Sequence, residues 1–221
     1  EEIDVERYQT VYSKYKGSVA APTAGLHFTA NTLQALKNKG IRTTELTLHV
    51  GAGTFRPVKA DSIDQHKMHT EHFEAALETL TTIASHRGPV IAVGTTSLRT
   101  LESLYFAALH IAQGRAPEHI DQWEGFESDV QLTRQEAYGI LAAYLEKNGK
   151  EKLEAATSII IAPGYKPKVI DGLISNFHQP RSTLLLLIAA LIGDNWKEVY
   201  RQALEKDYRF LSYGDSSLLL P

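Results

Sequence analysis

His49, Gly51, Gly53, Thr54, Phe55 and Arg56 fall within eight residues. They bring an imidazole, two glycines, a hydroxyl, an aromatic ring and a fixed cation to one turn. Glycines there admit backbone conformations closed to other residues and leave room for a ligand. The spacing is no dinucleotide fingerprint, because Arg56 stands where a third glycine should be and Pro57 follows instead of a helix. A second turn, Gly94-Thr95-Thr96-Ser97-Leu98-Arg99, links an apolar run to a helical pattern. Free backbone N–H groups and the positive helix end would face that turn, beside three hydroxyls, which suits a carboxylate or phosphate. Helix capping alone would account for one or two of the three.

Histidines supply the acid–base candidates. His27, His49 and His178 each lie beside glycine or proline turns, and any one of them alone equally reads as a hydrogen-bonded structural residue. His66, His69 and His72 suggest a metal at first sight. Neither helix nor strand geometry presents all three together, so no metal is expected. Lys166, Lys168 and Arg181, near Tyr165 and Asn176, form a local basic patch if they converge, extended by Lys67 and Arg56.

The bulk properties limit the partners. The 221 residues are 43% hydrophobic, enough for one sizeable core. The net charge of -3 gives no global basic field, so a nucleic acid would have to be held by a local patch. The lack of cysteine excludes disulfides and thiolate metal sites and fits a reducing compartment, so the cytoplasm is the expected location. The longest apolar run, residues 184–192, is shorter than the roughly 20 residues a bilayer span needs, and no membrane association is expected. The chain opens at Glu1 and its single methionine is Met68, which suggests a piece of a longer protein.

Periodicity and punctuation set the elements. Thr29 should cap a helix closed by Lys39 and Gly40. A strand is expected over 41–50, a helix over 74–86, a strand over 90–93 and a helix over 95–113. Residues 115–132 read as a solvated acidic loop, since no Lys or Arg occurs over 116–133. Thr133 and Glu136 form a capping box for a helix ending at Asn148-Gly149. A strand over 158–162, a hairpin about Asp171-Gly172, a helix capped by Ser182 and another capped by Asp194 follow. The apolar tail RFLSYGDSSLLL should pair or pack. Alternating strands and helices favour an α/β fold with mainly parallel strands, barrel-like or an open sheet with surrounding helices. A single domain over 1–221 is expected, with 115–153 as an acidic loop plus helix insertion. Ligands of open α/β sheets sit beyond the carboxyl ends of the strands, at the turns 51–56, 94–99 and 163–168 here.

Long ordered blocks carry a resemblance: YQTVY (8–12), GSVAAPTAGLHFT (17–29), TLHVGAGTFRPV (47–58), HKMHTE (66–71), VIAVGTTSLRTLES (90–103), APGYKPKVIDGLISNFHQPRSTLL (162–185) and YRFLSYGD (208–215). Together they resemble the S-adenosylmethionine:tRNA ribosyltransferase-isomerase family of queuosine biosynthesis. Ala162, Pro167 and Arg181 depart from that family's usual residues. The resemblance implies an α/β domain from which an inserted antiparallel β-barrel and the N-terminal strands are absent. It also implies transfer of the ribosyl group of S-adenosylmethionine to the 7-aminomethyl-7-deazaguanine wobble base of tRNA. The group is then isomerised to give epoxyqueuosine, with loss of adenine and methionine.

That chemistry needs a base for a C5′ proton next to the sulfonium, with His27, His49, His178 and Asp171 as candidates and Asp215 as an alternative. An aromatic face for the positive sulfur could come from Phe55, Tyr165 or Phe177. Gly51, Gly53, Thr54, Thr95, Thr96, Ser97, Arg99 and Asn176 are the remaining substrate contacts expected. Arg56, Lys67, Lys166, Lys168 and Arg181 would meet tRNA. No cofactor beyond S-adenosylmethionine as co-substrate is expected. A non-catalytic remnant that binds S-adenosylmethionine or RNA is the alternative. A barrel-type phosphosugar enzyme shares the turn chemistry but explains none of the long blocks.

Overall fold

One helix, buried on every side, organises the structure. The computed structural model describes residues 23–49, 63–127 and 131–221. Within them, strands β1 (Thr47–His49), β2 (Glu71–Ala76), β3 (Ile91–Val93), β4 (His119–Ile120), β5 (Lys152–Thr157), β6 (Gly172–Asn176) and β7 (Ser216–Leu219) alternate with helices. The helices are α1 (Ala30–Asn38), α2 (Leu77–Ser85), α3 (Thr95–Ala112), α4 (Glu124–Glu127), α5 (Arg134–Lys147), α6 (Thr183–Ile192) and α7 (Asn195–Glu205). Short 3-10 turns occupy Thr23–His27 and Ile63–Gln65. In α3 every residue from Leu98 to His110 is buried, as befits a helix that is apolar most of the way round.

The strands form two sheets, β1-β2-β5-β4 and β3-β6-β7. The larger is antiparallel except that β4 runs parallel to β5. In the smaller, β3 and β6 are parallel and β7 is antiparallel. The α/β class expected from alternation holds, but the strands are mixed in direction rather than mainly parallel, and the sheets are open. The reason lies in the connections. A strand–helix–strand step forces parallel pairing only when both strands join one sheet. Here β2 and β3, and likewise β3 and β4, belong to different sheets. α3 touches both sheets: Ser103 donates to Thr157 Oγ1 of β5 at 2.7 Å, and the helix leaves directly from β3.

Several local signals act as expected. Thr29 accepts from Thr32 N–H at the start of α1, Ser182 accepts from Leu185 N–H at the start of α6, and Thr133 and Glu136 make a reciprocal capping box. Other expectations are corrected. The strand β2 runs on to Ala76, where a helix from 74 was expected, because Phe73 and Ala75 alternate into the core while Glu74 faces out to Lys152. The strand near 158–162 is β5, Lys152–Thr157, whose inward residues are Leu153 and Ala155. No hairpin forms at Asp171-Gly172. Gly172 is instead an in-line strand residue, and a Cβ there would sit 2.8 Å from both Ile91 Cδ1 and Leu220 Cδ2.

The acidic segment is not simply a solvated loop. Ile120 is fully buried, β4 joins the sheet, and Glu124 is held 2.6 Å from His110 Nε2. Helix α5 adds Tyr138, Leu141 and Leu145 to the core, so the segment 115–153 contributes directly to it. Asp194 stands at the start of α7 but makes no capping bond there and pairs with Lys197 instead. Leu204, on α7, is exposed.

Candidate active site at the carboxyl end of the small sheet

Parallel pairing places Val93 opposite Ile174, so β3 and β6 end together. Gly94 extends the pairing by donating to the Ile174 carbonyl at 2.8 Å. It then turns the chain into α3 with φ 92° and ψ 147°, a conformation that favours glycine over any side-chain-bearing residue. Gly94, at the N-cap, has no side chain with which to cap α3. The first N–H groups of α3 have no acceptor within the helix, Thr95, Thr96 and Ser97 stand beside them, and the positive end of this 18-residue helix faces the strand ends.

The turn Thr23–His27 packs here, with Ala24 Cβ 3.8 Å from where a Cβ on Gly94 would stand. It brings His27 Nε2 to 3.0 Å from Asn176 Nδ2 at the end of β6. The same amide nitrogen donates to the Leu211 carbonyl at 3.2 Å. A carbonyl can only accept, so it fixes the amide orientation, and His27 Nε2 must then accept as well. The proton of a neutral His27 sits on Nδ1 in that arrangement. Asn176 Oδ1 is left buried with no hydrogen-bond partner among the described residues. An orphaned buried acceptor at a strand end is costly unless a ligand or water supplies a donor.

Asp215 closes this side, just ahead of Ser216, which pairs with Asn176. Its carboxylate accepts from Arg209 N–H at 2.7 Å and from Arg209 Nη2 at 2.9 Å. The Arg209 side-chain bond, then the backbone bond, hold it below the usual carboxylate range, with nearby His27 a smaller contributor. Gly214 makes the turn possible, since a Cβ would overlap the Arg209 carbonyl. Phe177 is buried in an aromatic cluster with Tyr200, Tyr208 and Phe210, at centroid distances of 5.6, 5.7 and 5.3 Å. His178 bonds Ser175 Oγ through Nε2 at 2.8 Å, and its backbone N–H reaches Tyr200 Oη at 3.1 Å. Burial pushes its imidazole down to about 4, so it is neutral near pH 7.

A pocket lies beside Arg99, one turn into α3. Its walls include His66, Met68 and His69 from the segment before β2, Ile160, and Thr183 and Leu184 at the start of α6. Glu71 and Arg99 also line it. Arg99 is buried, with Nη1 2.9 Å from Glu71 Oε2 and Nε donating to the Ile159 carbonyl at 3.0 Å. Arg99 is thus held in a buried pair one turn into α3.

Residues 1–219 match the family described as "Queuosine biosynthesis protein". The chain belongs to that family. It is 41% identical over 223 aligned residues to the S-adenosylmethionine:tRNA ribosyltransferase-isomerase of Thermotoga petrophila, covering 99% of this chain and 55% of the relative. The enzyme of that name from Thermotoga maritima is 40% identical over the same shares. The crystal structure of S-adenosylmethionine tRNA ribosyltransferase from Thermotoga maritima superposes with a TM-score of 0.58 at 30% identity, covering 89% of this chain and 51% of that one. The chain therefore spans about half the length of the curated relatives it matches.

In this queuosine biosynthesis family member the strand ends bring together His27, Asn176, Phe177 and the α3 start, with His178 two residues beyond Asn176. His49 ends β1 on the larger sheet, opposite His72, with Nε2 3.4 Å from Glu74. Asp171 is at the opposite end of β6, where it accepts from Val90 N–H at 2.8 Å and pairs with Arg134 at 2.7 Å. Tyr165 is buried with its hydroxyl on Glu102 at 2.6 Å, so its ring is a core residue and not an open face. Lys67, Lys166 and Arg181 are exposed and Lys168 is half-buried. None of the four forms an ion pair among the described residues. Gly51, Gly53, Thr54, Phe55 and Arg56 lie outside the described residues.

Sequence reasoning missed Glu102. Fully buried on α3, it accepts from Tyr165 Oη and from the N–H groups of Lys168, Val169 and Ile170, at 2.6 to 3.1 Å. Burial raises its pKa and these four donors oppose the rise. The available signal was a lone acid inside an otherwise apolar helical stripe. No helix among the described residues is long and apolar enough to cross a membrane, and no group of three metal-ligating side chains occurs among them.

Proposed function

We propose that the protein to which this chain belongs transfers the ribosyl group of S-adenosylmethionine to the 7-aminomethyl-7-deazaguanine wobble base of tRNA. The ribosyl group is rearranged to give epoxyqueuosine, and adenine and methionine leave. The observation that carries this is the 41% identity along 99% of the chain to enzymes named for that reaction. The His27–Asn176 pair at the start of α3 fits its chemical demands. It works in the cytoplasm, with S-adenosylmethionine as its co-substrate and no separate cofactor.

The reaction begins with loss of a C5′ proton made acidic by the adjacent sulfonium. His27 is the base on this reading, because its ring is exposed and its basic nitrogen is Nε2, which exchanges its bond from Asn176 for the C5′ proton. Asn176 orients the ring until substrate enters, and its Oδ1, without a partner among the described residues, receives a donor from the ribose or the adenine. His178 is half-buried and bonded to Ser175, and supports the loop. The α3 start stabilises developing negative charge through its N–H groups. Phe177 and its aromatic cluster back the site wall. Lys67, Lys166, Lys168 and Arg181 are the cations offered to the tRNA backbone.

The test is adenine release by the intact protein from S-adenosylmethionine and tRNA bearing the precursor base. Release dependent on both substrates is expected. Tight binding of either without release would favour the non-catalytic reading.

A further inference from the structure

We propose that the pocket between the start of α6, the segment before β2 and Arg99 holds the α-carboxylate of the amino-acid end of S-adenosylmethionine. This rests on the function proposed above and assigns one end of the substrate. Two independent observations meet there. Arg99 is about nine-tenths buried, and while Nη1 and Nε are engaged, Nη2 is buried with no hydrogen-bond partner among the described residues. A buried guanidinium N–H pair without an acceptor is expensive, and an anion removes the cost. In addition, Ser182 caps α6 through Leu185 N–H. That cap leaves the N–H groups of Thr183 and Leu184, which line the same pocket, to donate elsewhere.

The remaining wall selects the ligand class. Met68, Ile160, Leu184 and Leu187 are apolar, which suits the methylene stem of an amino acid better than a hydrated RNA phosphate. Arg99 sits four residues after Thr95 on the same face of α3, about 6 Å along the axis. A methionyl group anchored there points its sulfur back toward the helix start and the His27–Asn176 pair.

Calorimetric titration of the intact protein with S-adenosylhomocysteine and with 5′-methylthioadenosine, which lacks the amino acid, tests this. The unmodified protein should bind S-adenosylhomocysteine about tenfold or more tighter. Leu184→Trp fills the pocket without breaking the buried ion pair. It should erase that preference while leaving the affinity for 5′-methylthioadenosine and the melting temperature unchanged. Arg99→Lys, which keeps the charge opposite Glu71 but loses the planar fork, should weaken S-adenosylhomocysteine binding selectively. Retained preference in Leu184→Trp overturns the assignment and leaves the proposed function standing. If Leu184→Trp lowers tRNA affinity in a filter-binding assay and spares the preference, the pocket holds an RNA phosphate and the assignment is wrong. No binding of either nucleoside by the unmodified protein would sink both the assignment and the reading it rests on.

Discussion

Burial decides the roles of the titratable residues here. His178 is half-buried and neutral, its imidazole pushed by desolvation down to about 4 against an ordinary value of 6.5. The unfolded chain therefore binds more protons between those values. The contribution is fully present above pH 6.5 and is lost as pH falls toward 4, amounting to about 3 kcal/mol for this one group. Chemical denaturation of His178→Gln across that range should show a shallower fall in stability than the parent. Identical slopes would contradict a half-buried neutral His178. Glu102 makes the opposite kind of bond, a carboxylate used only as an acceptor. Glu102→Gln turns one acceptor into a donor facing a donor, at a cost of about 3 kcal/mol. The melting temperature should drop by roughly 6 to 12 °C, with faster proteolysis within the 163–168 loop. An unchanged melting curve would contradict that loop anchor.

Elements position these residues through a few backbone conditions. The turn before β7 depends on Gly214, where a Cβ would overlap the Arg209 carbonyl and lie 2.6 Å from Phe210 O. Gly214→Ala should separate Asp215 from Arg209 and cost about 1–3 kcal/mol, and slow adenine release. Gly139, inside α5, has nothing within 4 Å of where a Cβ would stand. Gly139→Ala should add up to about 1 kcal/mol of stability and leave adenine release alone. If both substitutions behave alike in paired unfolding and activity measurements, the turn is not what sets the Asp215 position. Local sequence signals serve well at this scale. Thr29, Thr133 and Ser182 cap the helices assigned to them, because a cap needs only neighbours in the chain. Strand directions were not legible, since they depend on which of two sheets each strand joins. Likewise the end of β2 reads as helix and β5 was placed several residues late, because the alternation is interrupted by paired alanines in EHFEAA and KLEAAT.

At the scale of the whole molecule, the two parallel strand ends, the start of α3 and the Thr23–His27 turn meet at one edge of the small sheet. The rule that ligands sit beyond the carboxyl ends of strands pointed to the turn at 94–99, but the bond between His27 and Asn176 depends on how the Thr23–His27 turn packs and was not legible. Asp171 was unreadable as an outsider, because proximity to a glycine turn says nothing about which end of a strand the residue occupies. Arg99 was legible as a cation near an anion site, but its pairing with Glu71 required knowing that β2 passes beside α3. The chain accounts for about half of its relatives' length, so activity is a property to be measured on the intact protein.

The most direct measurement is single-turnover adenine release from S-adenosylmethionine and precursor-bearing tRNA by the intact protein and by Asn176→Ala. The account predicts release by the parent, and a rate lower by about a hundredfold or more in the variant with its fold retained by circular dichroism. Equal rates in the two proteins, or no adenine from the parent, would contradict the placement of the reaction at the carboxyl end of the small sheet.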